Sequence, residues 1–290
     1  MNEEKIIFKK PFREQYTLTI ASEVNAIDTS ISSTIELRYD FQVLKIEESH
    51  IEVRLLVLDN KIIAANSPLV QEVANVSQVF GRMYNELHLI LSLDGKVKEV
   101  LNTHLILSKW METKKEMQKH IAGNPDMEQV ISLNDTIFTD PEKVKLAVQA
   151  NEFFMVYFGQ VFNEKLPIVK SVHGTNIFST ANMDWSVTIK ELPTSSTTKD
   201  ICVISTAFPK NGYTDGFINA AYFQFKEKIK IQPQNIKMEQ IEERYFELET
   251  GKLKKGAVKK EEIVDSVSLY QKFSYKMISD SEREFHIENN

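Results

Sequence analysis

Two distant stretches of this chain answer one another. Asp40-Phe41-Gln42-Val43-Leu44-Lys45-Ile46 is echoed by Asp184-Trp185-Ser186-Val187-Thr188-Ile189-Lys190. A second apolar run follows each, Ile51 to Val57 and Ile201 to Ala207, and later a glycine turn, within Leu91 to Lys98 and Glu247 to Lys254. Self-similarity constrains a fold more than any single motif, because it sets the number of structural units before their shapes. Here it predicts an α+β protein: two antiparallel β-sheet halves, a pseudo-repeat, with an inserted helical layer. The expected divisions are 1–101, 102–165 and 166–290. They should share one core, since Pro and Gly never cluster into a linker.

Periodicity supports this division. Tyr16 to Ile20 and Ile35 to Val43 alternate apolar and polar residues, the pattern of strands with one buried face. Glu47-Glu48-Ser49-His50 reads as a turn into the strand from Ile51. Ser67-Pro68 opens a short amphipathic helix, and Asp94-Gly95 joins two strands as a tight hairpin, because that dipeptide accepts φ > 0. The middle is helical: roughly 103–121, then Asp126 to Leu133. A third helix follows from a capping box at Thr139-Asp140-Pro141-Glu142 to about residue 162, near Gly159. Strands return at Met183 to Ile189, Ile201 to Ala207, Ala221 to Phe225, Lys228 to Ile231, Arg244 to Leu248 and Val267 to Met277. Pro193 to Thr198 is a polar loop, and the last dozen residues should fray.

Composition bounds the function. With 42% apolar and 26% charged residues among 290, the chain is an ordinary globular protein long enough to bury a full core. A net charge of −6 without a basic cluster argues against nucleic acid and is compatible with an acidic face that docks a basic protein. The single cysteine, Cys202, lies in an apolar strand; it reads as a packed thiol and rules out an intramolecular disulfide or a multi-cysteine metal site. Met1 to Lys10 lacks the apolar core of a signal peptide, and no segment has the apolar length of a membrane span. The expected location is cytoplasmic, or periplasmic if a leader has been removed.

Catalytic signals are thin. The histidines (50, 88, 104, 120, 173 and 286) form no HxH or HExxH pair, so no metal is expected. Carboxylate doublets such as Glu47-Glu48, Glu242-Glu243 and Glu261-Glu262 read as solvated turns or edges, because neighbours on a strand point to opposite faces. No nucleophile elbow and no phosphate-binding glycine motif occurs, and no cofactor is implied. His173-Gly174-Thr175 has the look of an oxyanion loop and equally of an ordinary turn.

Two clusters remain as candidates for binding. Phe153, Phe154, Tyr157, Phe158 and Phe162 either line an apolar cavity beneath a curved sheet or fill the core of a helix-on-sheet layer. In Gly212 to Phe217, a surface loop, Tyr213, Asp215 and Phe217 either meet a partner or tuck inward.

The Asp-Gly hairpin after a strand (Leu91 to Val97), the aspartate–aromatic strand after a proline (Pro167 to Ile189) and the Thr-Gly hairpin near the end give the chain a further likeness. In these features it resembles uncharacterised, mostly exported bacterial proteins built as two β-rich halves. The resemblance implies that architecture and no activity; the chain departs from it in lacking an export signal. The function expected is therefore non-enzymatic binding of a protein partner, of an immunity type or as an assembly component, through a strand edge or acidic face. The alternative is a carrier that holds a lipid or other apolar ligand between curved sheet and aromatic helix.

Overall fold

Alternating side chains sort the first three strands onto a common plane. The computed structural model describes residues 5–120, 125–193 and 200–288. Strands β1 (Phe12–Ala26), β2 (Thr29–Ile46) and β3 (Ile51–Ala65) pair as a meander that brings Tyr16, Leu18, Tyr39, Phe41, Val53 and Leu55 to one buried face. After helix α1 (Pro68–Gly81), β4 (Glu86–Leu91) and β5 (Val97–Val100) extend the meander, and Gly95 takes φ 82° in the turn between them. Helices α2 (Thr103–His120), α3 (Pro125–Phe138), α4 (Pro141–Gln149) and α5 (Glu152–Phe158) follow. A second meander comprises β6 (Ile168–Thr175), β7 (Asn182–Leu192), β8 (Asp200–Pro209), β9 (Lys237–Glu247), β10 (Lys252–Asp265) and β11 (Leu269–Ser279). Helix α6 (Asp215–Tyr222) lies inside it and α7 (Asp280–Glu288) after it.

The two meanders form one antiparallel sheet of 11 strands, ordered β5-β4-β3-β2-β1-β11-β10-β9-β8-β7-β6. Their seam is the β1–β11 pair, in register from Tyr16↔Ser279 to Ala26↔Leu269. The echoing segments fall on β2 to β5 and β7 to β10, consecutive strands of the two meanders. They share connectivity but not size: β2 has 18 residues and β7 has 11, while β5 has 4 and β10 has 14.

The apolar face carries the core. Trp110 of α2 packs against Phe138 of α3 and Phe80 of α1, and its indole N–H donates to Asp135 at 2.7 Å. Short α5 presses Phe153 and Tyr157 onto Tyr16, Tyr39 and Phe41. A register shift between Leu253 and Lys255 interrupts the β9–β10 ladder. The tyrosines satisfy that backbone: Tyr16 Oη donates to the Leu253 carbonyl at 2.9 Å, and Tyr157 Oη accepts from its N–H at 3.2 Å.

Several local expectations are corrected. The helix expected from Thr139 to 162 is two helices. Asp140 rather than Thr139 caps α4, accepting from Glu142 N at 3.0 Å, and Asn151 turns extended and caps α5, accepting from Phe153 N at 2.8 Å. Ser67 occupies the cap position of α1 but makes no side-chain bond there. Ala221 to Phe225 is not a strand: Thr214 caps α6, whose Ile218, Ala221 and Tyr222 recur at helical spacing on its buried side, and a 3-10 turn takes Phe223–Phe225. Lys228 to Ile231 is likewise outside any strand. The start of the tail is anchored in the first turn of α7. Asp280 pairs with Arg38 at 2.6 Å, the Ser281 hydroxyl donates to Glu14 at 2.8 Å, and Glu282 meets Lys254 at 3.0 Å. Of the loop expected at Pro193 to Thr198, residues 194–198 lie outside the described residues.

Candidate ligand trough on the polar face

The five aromatics singled out in the middle of the chain are core. Phe153, Phe154, Tyr157, Phe158 and Phe162 are each no more than 3% exposed. Phe158 meets Phe162 at 4.8 Å between ring centres, and Phe162 meets Phe246 of β9 at 5.4 Å. Burial holds the Tyr157 phenol well above its ordinary range. At the end of α5, Phe154, Phe158 and Phe162 reach a concavity, about 350 Å3 in volume. Asp94, Lys96, Gln149, Glu164 and Lys170 share its walls.

Arg244 of β9 locks this layer. It is fully buried, its Nε donates to the Val156 carbonyl at 2.7 Å and its Nη2 to the Met155 carbonyl at 2.9 Å, while Nη1 pairs with Glu242 at 2.7 Å. The guanidinium thus takes up carbonyls at the C-terminal end of α5, where a helix has acceptors to spare.

The second cluster turns inward as well. Tyr213 and Phe217 lie against each other at 6.1 Å, Phe217 meets Tyr222 edge-on at 5.9 Å, and Asp215 stays exposed in the first turn of α6. Burial pushes the Tyr213 phenol up to about 12. Beneath α6, Glu262 of β10 is wholly buried. It accepts from Tyr222 Oη at 2.6 Å, Asn176 Nδ2 at 2.8 Å and the Phe178 N–H at 2.9 Å. Among the described residues no cation pairs with it, and burial raises its pKa against the lowering effect of those donors.

The open site is on the other face. Strand register places Ala64, Thr34, Ala21, Ser274, Lys259 and Ile241 in one row across β3, β2, β1, β11, β10 and β9, on the face opposite α5. Beside it run Ser32, Glu23, Lys272 and Glu261, and on the other side Lys276, Ala257 and Glu243. These residues line a trough of about 750 Å3. A twisted sheet is saddle-shaped, so each face is concave along one diagonal. Short side chains at Ala21, Thr34, Ala64, Ala257 and Ser274 leave that concavity open, and lysine stems add carbon to its walls.

Charge on the rim is mostly neutralised in place. Lys259 pairs with Glu261 at 2.8 Å and Lys272 approaches Glu23 at 3.9 Å. Burial pushes the Glu261 carboxyl up, but Lys259 and Lys237 outweigh it and hold it below the ordinary carboxylate range. Glu243 accepts from Tyr245 Oη at 2.6 Å and from the buried Cys202 thiol at 3.7 Å; burial in turn raises the thiol's pKa. A thiol held protonated in this way is a poor nucleophile.

Elsewhere, His88 pairs with Glu52 at 2.6 Å and His173 with Asp184 at 3.0 Å, both on the polar face. Among the described residues no three His, Cys, Asp or Glu side chains converge as metal ligands, and no helix is long and apolar enough to cross a membrane. The trough is invisible in sequence, because its alanines and serines carry no signal until register aligns them.

No family model and no curated protein matches the chain. Among solved structures it is similar to lipovitellin, from a structure concerned with lipid–protein interactions, with a TM-score of 0.38 and 6% identity. The likeness covers 93% of this chain and 25% of that one, and is too loose to bear on fold or ligand.

Proposed function

We propose that this is a non-enzymatic binding protein that carries one apolar chain along the trough of its polar face. The observation behind this reading is the floor of small side chains beneath a 750 Å3 concavity, a volume ordinary for small-molecule sites. Six strands contribute, so the trough follows about 24 Å of sheet at ~4.8 Å per strand step. Its central row has a flanking row on each side, about 7 Å away along the strands, which suits a single extended chain over the centre. A peptide laid there would lose its hydrogen bonds to water, because the N–H and C=O groups of a sheet point along the sheet and are already paired. A hydrocarbon chain loses none. The carrier's ligand therefore sits opposite the aromatic helix rather than beneath it.

Native mass spectrometry of gently purified protein tests the reading directly, with a retained lipid-sized mass as the expected result. Ala21→Trp fills the middle of the trough from a surface position. It is expected to weaken binding of a C16 acyl probe at least tenfold, with a change in stability within about 0.5 kcal/mol. Unchanged probe affinity in Ala21→Trp would remove the trough from consideration.

A second reading, a protein partner joined at a strand edge, is favoured by β6. It is eight residues long, is paired among the described residues with β7 alone, and leaves Val169 74% exposed. Such an edge accepts an added strand. Val169→Lys should then abolish a stoichiometric complex in pull-downs from the native host; a partner retained by that variant rules the β6 edge out.

A further inference from the structure

The rim of the trough specifies the head group of its occupant, an inference that rests on the carrier reading. Six ionisable side chains line the trough: Glu23, Glu243 and Glu261 against Lys259, Lys272 and Lys276. Four are matched to one another, Lys259 with Glu261 and Lys272 with Glu23. Glu243 is engaged by the Tyr245 hydroxyl and the Cys202 thiol. Lys276 is different. It is exposed on β11 between Thr19 of β1 and Ala257 of β10, both too short and neutral to reach its ammonium. Among the described residues no carboxylate lies within ion-pair distance of it.

We propose that the trough takes a single-chain amphiphile with an anionic head, the chain lying over Ala21, Thr34, Ala64 and Ser274 and the head on the ammonium of Lys276. Charge bookkeeping selects the sign. A cationic head would have to displace a lysine from its carboxylate or compete with the donors already on Glu243. An anionic head meets a cation with no bond to give up, and charge-assisted hydrogen bonds of this kind are about twice as strong as neutral ones. The position is also suitable. Lys276 stands two residues along β11 from Ser274 of the small-side-chain row, on the same face, so its four-carbon stem flanks the chain while its tip reaches the mouth.

The test compares palmitate with 1-hexadecanol, which share a chain and differ in head, by titration against the full-length chain and its variants. Wild type is expected to bind palmitate at least tenfold more tightly than hexadecanol, with the preference shrinking as salt is raised. Lys276→Met, which keeps the stem, should bring palmitate down to the hexadecanol level and remove the salt dependence; Lys276→Arg should retain both. Ala21→Trp should lose both probes. If palmitate and hexadecanol bind wild type equally, or Lys276→Met leaves palmitate unchanged, while Ala21→Trp still abolishes binding, the head-group assignment is overturned and the carrier reading survives. If neither probe binds wild type, or Ala21→Trp binds both normally, both are overturned.

Discussion

Replacing Arg244 by alanine should cost about 4 kcal/mol, because removing one member of a buried, hydrogen-bonded charge pair typically costs 3–5 kcal/mol. The variant strands the Val156 carbonyl of α5 and the partly buried Glu242 carboxylate, leaves the Met155 carbonyl with the Gly159 N–H alone, and opens a void beside Val156. At about 2 °C per kcal/mol for a chain of this length, Tm should fall by roughly 8 °C. Gly159 supplies an internal control. It adopts φ 52°, and a Cβ there would lie 2.5 Å from the Arg244 guanidinium carbon. Gly159→Ala alone should therefore be destabilising through both backbone strain and collision. Combined with Arg244→Ala the collision vanishes, so the double variant should be more stable than the sum of the singles predicts. Urea denaturation of the four proteins checks this. Additive singles, or an Arg244→Ala variant within about 1 kcal/mol of wild type, would mean the guanidinium does not lock α5.

Glu262 should produce the other large effect, and a pH dependence with it. Glu262→Ala leaves the Tyr222 hydroxyl, the Asn176 amide and the Phe178 N–H without their acceptor. Each such loss costs about 1–3 kcal/mol, offset in part by the carboxylate no longer being buried, for a net cost of about 3 kcal/mol. The damage should be local first. Asn176 also organises its own turn, accepting from the N–H groups of Thr180 and Ala181 at 2.8 Å, so hydrogen exchange should accelerate across 176–181 and 215–222 before it does in β1 or β2.

The sign of the pH effect follows from the raised pKa of Glu262 in the folded protein. Between that raised value and the ordinary value near 4.5, the folded state holds a proton that the unfolded state has lost, so this group adds stability as pH falls through its folded pKa and withholds it above. Glu262→Gln lacks the proton exchange and presents an extra donor to three donors. Its deficit relative to wild type should therefore widen as pH is lowered. A gap that narrows on acidification would show that the carboxylate is stabilised by its charge rather than penalised by burial.

The sequence made the strands legible where one residue type implied one geometry. Ile35 to Val43 alternates because Leu37, Tyr39, Phe41 and Val43 turn to the core, and the dipeptides Asp94-Gly95 and Thr250-Gly251 mark turns whose glycines adopt φ 82° and 77°. Helix α2 likewise carries its amphipathic pattern openly. The failures share a cause: each depends on what lies across the fold. Ala221-Tyr222-Phe223-Gln224-Phe225 has strand composition, but Thr214 and the apolar pocket around Val264 and Leu269 draw it into α6 and a 3-10 turn. The doublet Glu261-Glu262 reads as a solvated edge, yet its halves point oppositely, Glu261 to lysines on the polar face and Glu262 into the core. Arg244 to Leu248 reads as a strand, and nothing in it tells that Arg244 is buried under α5. The trough needs the register of six strands drawn from both ends of the chain.

That β1–β11 seam also governs how the molecule can be made. Residues 16 and 279 face each other at the centre of the sheet, so a chain emerging in order from the ribosome exposes β1 long before its right-hand neighbour exists. Until β11 arrives, the nascent protein consists of two unfinished half-sheets, each with an unpaired inner border and a greasy side. Long-range closure of this sort is slow, and raw borders invite pairing with the wrong chain. Glu23, Lys272 and Lys276 flank the seam, and charges along a temporary border discourage neighbouring copies from zipping onto it before the proper strand is delivered.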